Sequence, residues 1–184
     1  MIMRNEPRWS IAAWFVVAAL GCGRGPVAPE LGNSPVYRNP AEGFRFLVPE
    51  DWIQTASSNL PPGDLDGEIF LVRYSLSTPE TGATLLVLCE GESDAIDLER
   101  HHAEGTFGVA RWNVVDPRRT VMMNGASAER IVYLGVTDGR EITKHATCFR
   151  HKGRLYSFIG LYSSSDEMAR QQIERAVESV IWEK

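Results

Sequence analysis

Three turn dipeptides, Asn124-Gly125, Asp138-Gly139 and Lys152-Gly153, divide the C-terminal half of the chain into four alternating runs near 112–122, 127–136, 140–150 and 154–162. Asn-Gly and Asp-Gly favour two-residue hairpins, because both central residues then take a positive φ that most side chains resist. Strands joined by such short turns leave no chain for crossover helices, so this half of the protein reads as an antiparallel meander. The registers follow from the turns alone. His145 falls opposite Val132 and Gly160, and Thr147 opposite Arg130 and Phe158. One face then presents Val132, Leu134, Phe149, Tyr156, Phe158 and Tyr162, with Arg130 and His145 among them. The other presents Ile131, Tyr133, Ala146, Cys148, Ile159 and Leu161.

Both faces are apolar, so both need a cover. Earlier in the chain, Phe44, Phe46 and Val48 alternate in a short strand stopped by Pro49, with Trp52 just beyond as a core plug. Ile69 to Leu76 and Thr84 to Cys89 are further strands, with apolar residues on both parities. Two helices are expected. Ser93 or Asp94 can cap the first, with a stripe of Ile96, Arg100, Ala103 and Phe107 that its Arg weakens. The second opens on a Ser164-x-x-Glu167 capping box and carries Ala169, Ile173, Ala176, Val177, Val180 and Ile181 on one face. The fold class is therefore α+β: a mostly antiparallel sheet of six to seven strands sandwiched by two helices. The closing helix, with the cleaner stripe, is expected over the aliphatic face. The aromatic face falls to the poorer first helix and loops: either that helix seals it and its rings are ordinary core, or it stays partly open as a candidate partner-binding surface of Arg130, His145, Phe149, Tyr156, Phe158 and Tyr162.

The N-terminus points to export. Arg4 and Arg8 precede the uncharged run Trp9 to Leu20, which spans about 18 Å as a helix and is too short to cross a bilayer of about 30 Å. Ala19-Leu20-Gly21-Cys22 follows and resembles a lipobox, in which the Cys thiol is acylated before cleavage on its N-terminal side. The commonest form has Leu first and a small residue second, an order Ala19 and Leu20 reverse. Residues 1–21 read as a lipoprotein signal peptide, with Cys22 as the lipidated first residue. A secreted protein cut near Ala19 and an uncleaved anchor are the alternatives. Residues 22–36, rich in Gly and Pro, read as a flexible tether, and 37–184 as the domain.

Of 184 residues, 163 then remain, and losing Arg4, Arg8 and Glu6 takes the net charge from −5 to −6. That length suits one domain with its own core. The acidic balance argues against nucleic acid, which requires a basic face, so membrane attachment would come from lipid. Cys89 and Cys148 sit in apolar strand patterns as buried hydrophobes, with one disulfide as the other reading.

The opening of the domain, Tyr37-x-Asn39-x-x-x-Gly43-Phe44-x-Phe46-x-Val48-Pro49-x-x-Trp52, resembles the PsbP-like superfamily, which includes DcrB-like bacterial lipoproteins. The Asn124-Gly125 hairpin before a strand with Ala128 and Arg130 also fits, as does Leu155-Tyr156-Ser157-Phe158 running into a final helix. The resemblance implies an α/β/α sandwich around an antiparallel sheet, used mainly as a binding or accessory module, and brings no catalytic residues.

No catalytic, metal or cofactor set stands out. His101-His102 are adjacent on a helix and point about 100° apart, whereas a helical metal pair needs i,i+4 spacing. His145 and His151 lie roughly 20 Å apart along one strand. Gly125-x-Ser127 lacks the second Gly of a nucleophile elbow. Asp64, Asp66 and Glu68 resemble a calcium loop only faintly, because Ser75 stands where the bidentate Glu belongs. The expectation is a non-enzymatic, membrane-anchored accessory module with a protein or small-ligand partner. The alternative is an envelope enzyme of hydrolase type.

Overall fold

A computed structural model describes residues 35–49, 51–58, 67–77, 82–91 and 96–183. The proposed leader, Cys22 and the segment through residue 34 lie outside them. The elements in chain order are β1 (Val36–Asn39), β2 (Phe44–Leu47), β3 (Ile53–Ser57), β4 (Ile69–Ser77), β5 (Gly82–Gly91), α1 (Leu98–Ala103), β6 (Asn113–Met123), β7 (Ala126–Thr137), β8 (Arg140–His151), β9 (Arg154–Ser163), α2 (Glu167–Glu178) and β10 (Ile181–Trp182).

All three turn dipeptides hold positive φ at both positions, for example 47° and 84° at Asn124 and Gly125. The registers are those the turns require: His145 pairs with Val132 and Gly160, and Thr147 with Arg130 and Phe158. The meander extends into a seven-stranded antiparallel sheet in the order β3-β4-β5-β9-β8-β7-β6, and a three-stranded sheet, β1-β2-β10, packs beside it. This is the expected α+β architecture.

The covers are exchanged relative to the expectation. The closing helix α2 lies on the aromatic face, where Ala169, Ile173, Ala176 and Val177 join one core with Phe149, Tyr156, Phe158 and Tyr162. The short helix α1 and Trp112 cover the aliphatic face of Ile131, Tyr133, Ala146, Cys148 and Ile159. Volume complementarity explains this. A helix stripe of small residues fits against bulky rings, and the large Trp112 fits over a face of small and branched side chains. Gly160 marks the closest approach, since a Cβ there would stand 2.4 Å from Ile173 Cγ2. The aromatic face is too wide for one helix. The small sheet completes its cover, with Phe44 and Phe46 tilted edge-on against Phe158 at 5.9 and 5.7 Å between ring centres.

Local caps also differ from the sequence reading. Asp166, not Ser164, caps α2 by accepting from the Ala169 N–H at 2.9 Å, while Ser164 Oγ pairs with Thr143 Oγ1 at 2.9 Å. Asp97 caps α1, accepting from Glu99 and Arg100 N–H groups at 3.2 and 3.3 Å. Ser93 and Asp94 lie outside the described residues. Phe107 leaves the helix for a left-handed turn with Gly108, at φ 57° and 78°. At the other end of α2, Asn124 Nδ2 donates to the carbonyls of Glu178 and Val180 at 2.8 and 3.0 Å. The β6–β7 hairpin tip thereby satisfies the exposed carbonyl end of the helix.

Candidate functional site

The six residues expected to form a partner groove do share one face, but they are core. Tyr156 is 1%, Phe158 0% and Tyr162 3% exposed, sealed by α2 and the small sheet rather than left open. Phe149 packs edge-on against Phe158 at 5.5 Å. The Tyr156 hydroxyl donates to Glu42 Oε2 at 2.6 Å, and Arg154 Nη1 stands 3.4 Å from the same oxygen. Arg130 Nη2 reaches Glu178 Oε1 at 3.3 Å. His145 is buried, among the described residues neither of its ring nitrogens is hydrogen-bonded, and its Nδ1 lies 3.9 Å from Glu174 Oε1. Burial, reinforced by Arg130, Arg119 and Arg170, pushes its pKa down to about 3. The open aromatic groove is therefore corrected in favour of the core reading, with α2 and the small sheet as the cover in place of the first helix: these side chains hold the sheet to its cover.

Around α1 the polar groups are arranged differently. His101 and His102 turn apart, their rings 4.9 Å between centres at 76°, as adjacent helical positions must. His102 points inward, with Nε2 at 3.3 Å from Cys148 Sγ and 3.4 Å from Ser157 Oγ. That is the spacing of a nucleophile and its base, but the electrostatics oppose such a role. Burial raises the Cys148 thiol to about 12, and burial with the charges of His101 and Lys144 lowers His102 to about 3. Nucleophilic cysteines are thiolates in electropositive, partly exposed surroundings, so this is a neutral packing pair.

Cys89 and Cys148 are free and buried on opposite faces of the sheet, each in its own core. Neither should react with a thiol reagent in the folded protein, and both should react once it is unfolded. Mass measurement after alkylation without reductant reads this directly. A pair blocked in denaturant until reduction would mean a bridge.

Lys144 is buried on the aliphatic face with its Nζ donating to the His102 carbonyl. It stands over the rings of Trp112 at 4.5 Å and Tyr133 at 5.1 Å. Burial lowers its pKa to about 8. His101 points outward to two carboxylates, with Nε2 at 3.5 Å from Glu90 Oε1 and 3.9 Å from Glu68 Oε2. A small cavity of about 180 Å³ opens beside them, lined among others by Glu68, His101, Glu104, Phe107 and Lys144. Glu90 and Lys144 escaped the sequence reading, although strand parity marks both. Glu90 follows Leu86 and Leu88 on the face they share, and Lys144 precedes Ala146 and Cys148 on theirs. Ser127 lies in β7 just past the hairpin turn, a strand position as expected. Asp64 and Asp66 lie outside the described residues.

No family model and no curated protein matches the chain. Solved structures do. Cyanobacterial PsbP (CyanoP) from Synechocystis is similar at a TM-score of 0.57 and 15% identity, over 87% of this chain and 95% of that one. A protein from Bacteroides thetaiotaomicron is similar at 0.51 and 13%, over 82% of this chain and 49% of that one. LpqN, involved in cell envelope biogenesis of Mycobacterium tuberculosis, is similar at 0.50 and 11%, over 83% of this chain and 86% of that one. At these identities the likeness is one of fold: the described residues have a PsbP-like architecture.

Proposed function

We propose that this chain is an exported lipoprotein, held to a bacterial membrane through lipid on Cys22, whose PsbP-like domain serves as a non-enzymatic accessory or binding module facing the periplasm or the cell exterior. The observation that carries the non-enzymatic part is the state of the buried reactive groups. The Cys148 thiol is held at about 12 and the His102 imidazole at about 3, so neither is poised for proton transfer or attack near neutral pH. The export part rests on the leader and on Gly21-Cys22. The similarity of fold to LpqN, a protein of cell envelope biogenesis, agrees with that compartment.

The test is metabolic labelling with a fatty-acid probe in a bacterial host. The wild-type chain should take up label and fractionate with membranes. Cys22→Ser should lose the label entirely and keep its leader, since cleavage follows acylation. Equal labelling of the two would sink the reading.

A further inference from the structure

We infer that Glu68, Glu90 and His101 form a binding site for a divalent transition-metal ion of the zinc class, taken by one imidazole nitrogen and two carboxylate oxygens. The inference goes beyond the anchoring reading and does not depend on it. The three donors come from three separate parts of the chain: the lead into β4, the end of β5 and the middle of α1. Their ligand atoms nevertheless all lie within 4.8 Å of one another. A zinc ion with bonds near 2.1 Å holds tetrahedral donors about 3.4 Å apart. The spacings from His101 Nε2, 3.5 and 3.9 Å, already approach that figure, so closing on an ion needs side-chain adjustment and no movement of the sheet.

A second observation concerns burial. Glu90 is 9% exposed, and among the described residues its buried Oε1 makes no hydrogen bond, the group that faces it being His101 Nε2 at 3.5 Å. A buried carboxylate oxygen in that condition is costly unless a cation faces it. Burial lifts the Glu90 pKa, with His101 acting against that. The surroundings also favour a cation. Glu104 adds negative charge at the end of α1, and His102 is neutral. The neighbouring Lys144 is turned to the His102 carbonyl.

Without metal, the proton on His101 supplies the missing positive charge. A hydrogen bond with Glu68, ahead of the opposing effect of burial, and then the charges of Glu90, Glu68 and Glu104 raise its pKa. The mixed nitrogen and oxygen set disfavours calcium, which takes six to eight oxygens. With three protein ligands, a further coordination position remains for water on the side of the small cavity.

Titration calorimetry of the full chain, purified in detergent and stripped with chelator, tests this with zinc chloride as the probe. We expect saturable binding that an excess of calcium leaves in place. His101→Ala and Glu90→Gln should each lower the affinity at least about tenfold, with the metal-free melting profile confirming that each variant is folded. Glu68→Gln, at an exposed position, carries the same expectation and serves should Glu90→Gln fail to fold. Absence of saturable zinc binding, or wild-type affinity in any folded variant of the three, overturns the proposal.

Discussion

Replacing Trp52 with alanine should destabilise the domain by about 3–5 kcal/mol, the range for emptying a large buried aromatic site. The residue follows a turn in which Asp51 takes φ 69°, which brings the indole back over the sheet as β3 begins. It is 6% exposed and packs in the core shared by the small sheet and α2. Its Nε1 donates to Gln172 Oε1 at 3.0 Å, and Gln172 is itself buried on α2. Truncation would therefore open a cavity and strand a buried amide, two costs that add. Trp52→Phe separates them, since it keeps most of the ring volume and should cost only about 1–3 kcal/mol for the lost partner. Urea unfolding of both variants gives the comparison. A loss below about 1 kcal/mol in Trp52→Ala would contradict the burial.

The second large effect is a loss of stability in acid. His102 and His145 have folded pKa values lowered from 6.5 to about 3, chiefly by burial. The unfolded chain binds these two protons first. Their contribution is fully present above pH 6.5 and is lost as pH falls toward about 3. Each histidine tilts the stability by up to about 1.4 kcal/mol per pH unit in that window. His101 has the opposite sign: its pKa is raised, so its contribution is present in acid and fades as pH rises through the folded value. Chemical denaturation across a pH series should show stability falling as the solution is acidified, and His145→Leu should remove about one proton from the dependence. A flat profile between about pH 7 and 5 would mean that the two rings are protonated without unfolding.

How far the sequence announced this molecule depends on where each constraint resides. The meander registers were legible because they follow from backbone conformation at three turns, and that conformation depends on local residue chemistry. Trp52 was legible as core from its place after a Pro-stopped strand. The exchange of covers was not, because which helix seats on which face is decided by side-chain volumes across the sheet, and periodicity carries no such information. Strand β3 escaped because its residues are mostly exposed and do not alternate. Strand β10 escaped because Val180 and Ile181 continue the helical spacing of α2, whereas the chain leaves the helix at Ser179. The cluster around His101 was half legible. Parity places Glu90 and Lys144 on a buried face, but only the path of the chain brings His101 and Glu68 to meet them.

The small sheet has a consequence in time. Strand β2 lies between β1 and β10, and the Leu47 N–H donates to Ser179 Oγ from 132 positions away. The hairpin of β1 and β2 can form early, with Tyr37 against both rings, but Tyr156 and Phe158 of β9 and Trp182 of β10, which also pack on Phe44 and Phe46, are made much later. Long-range pairings of this kind are slow, because the entropy of loop closure is lost before the contacts are gained. A nascent chain of this protein therefore carries these early apolar strands unburied until β9, α2 and β10 have also been synthesised.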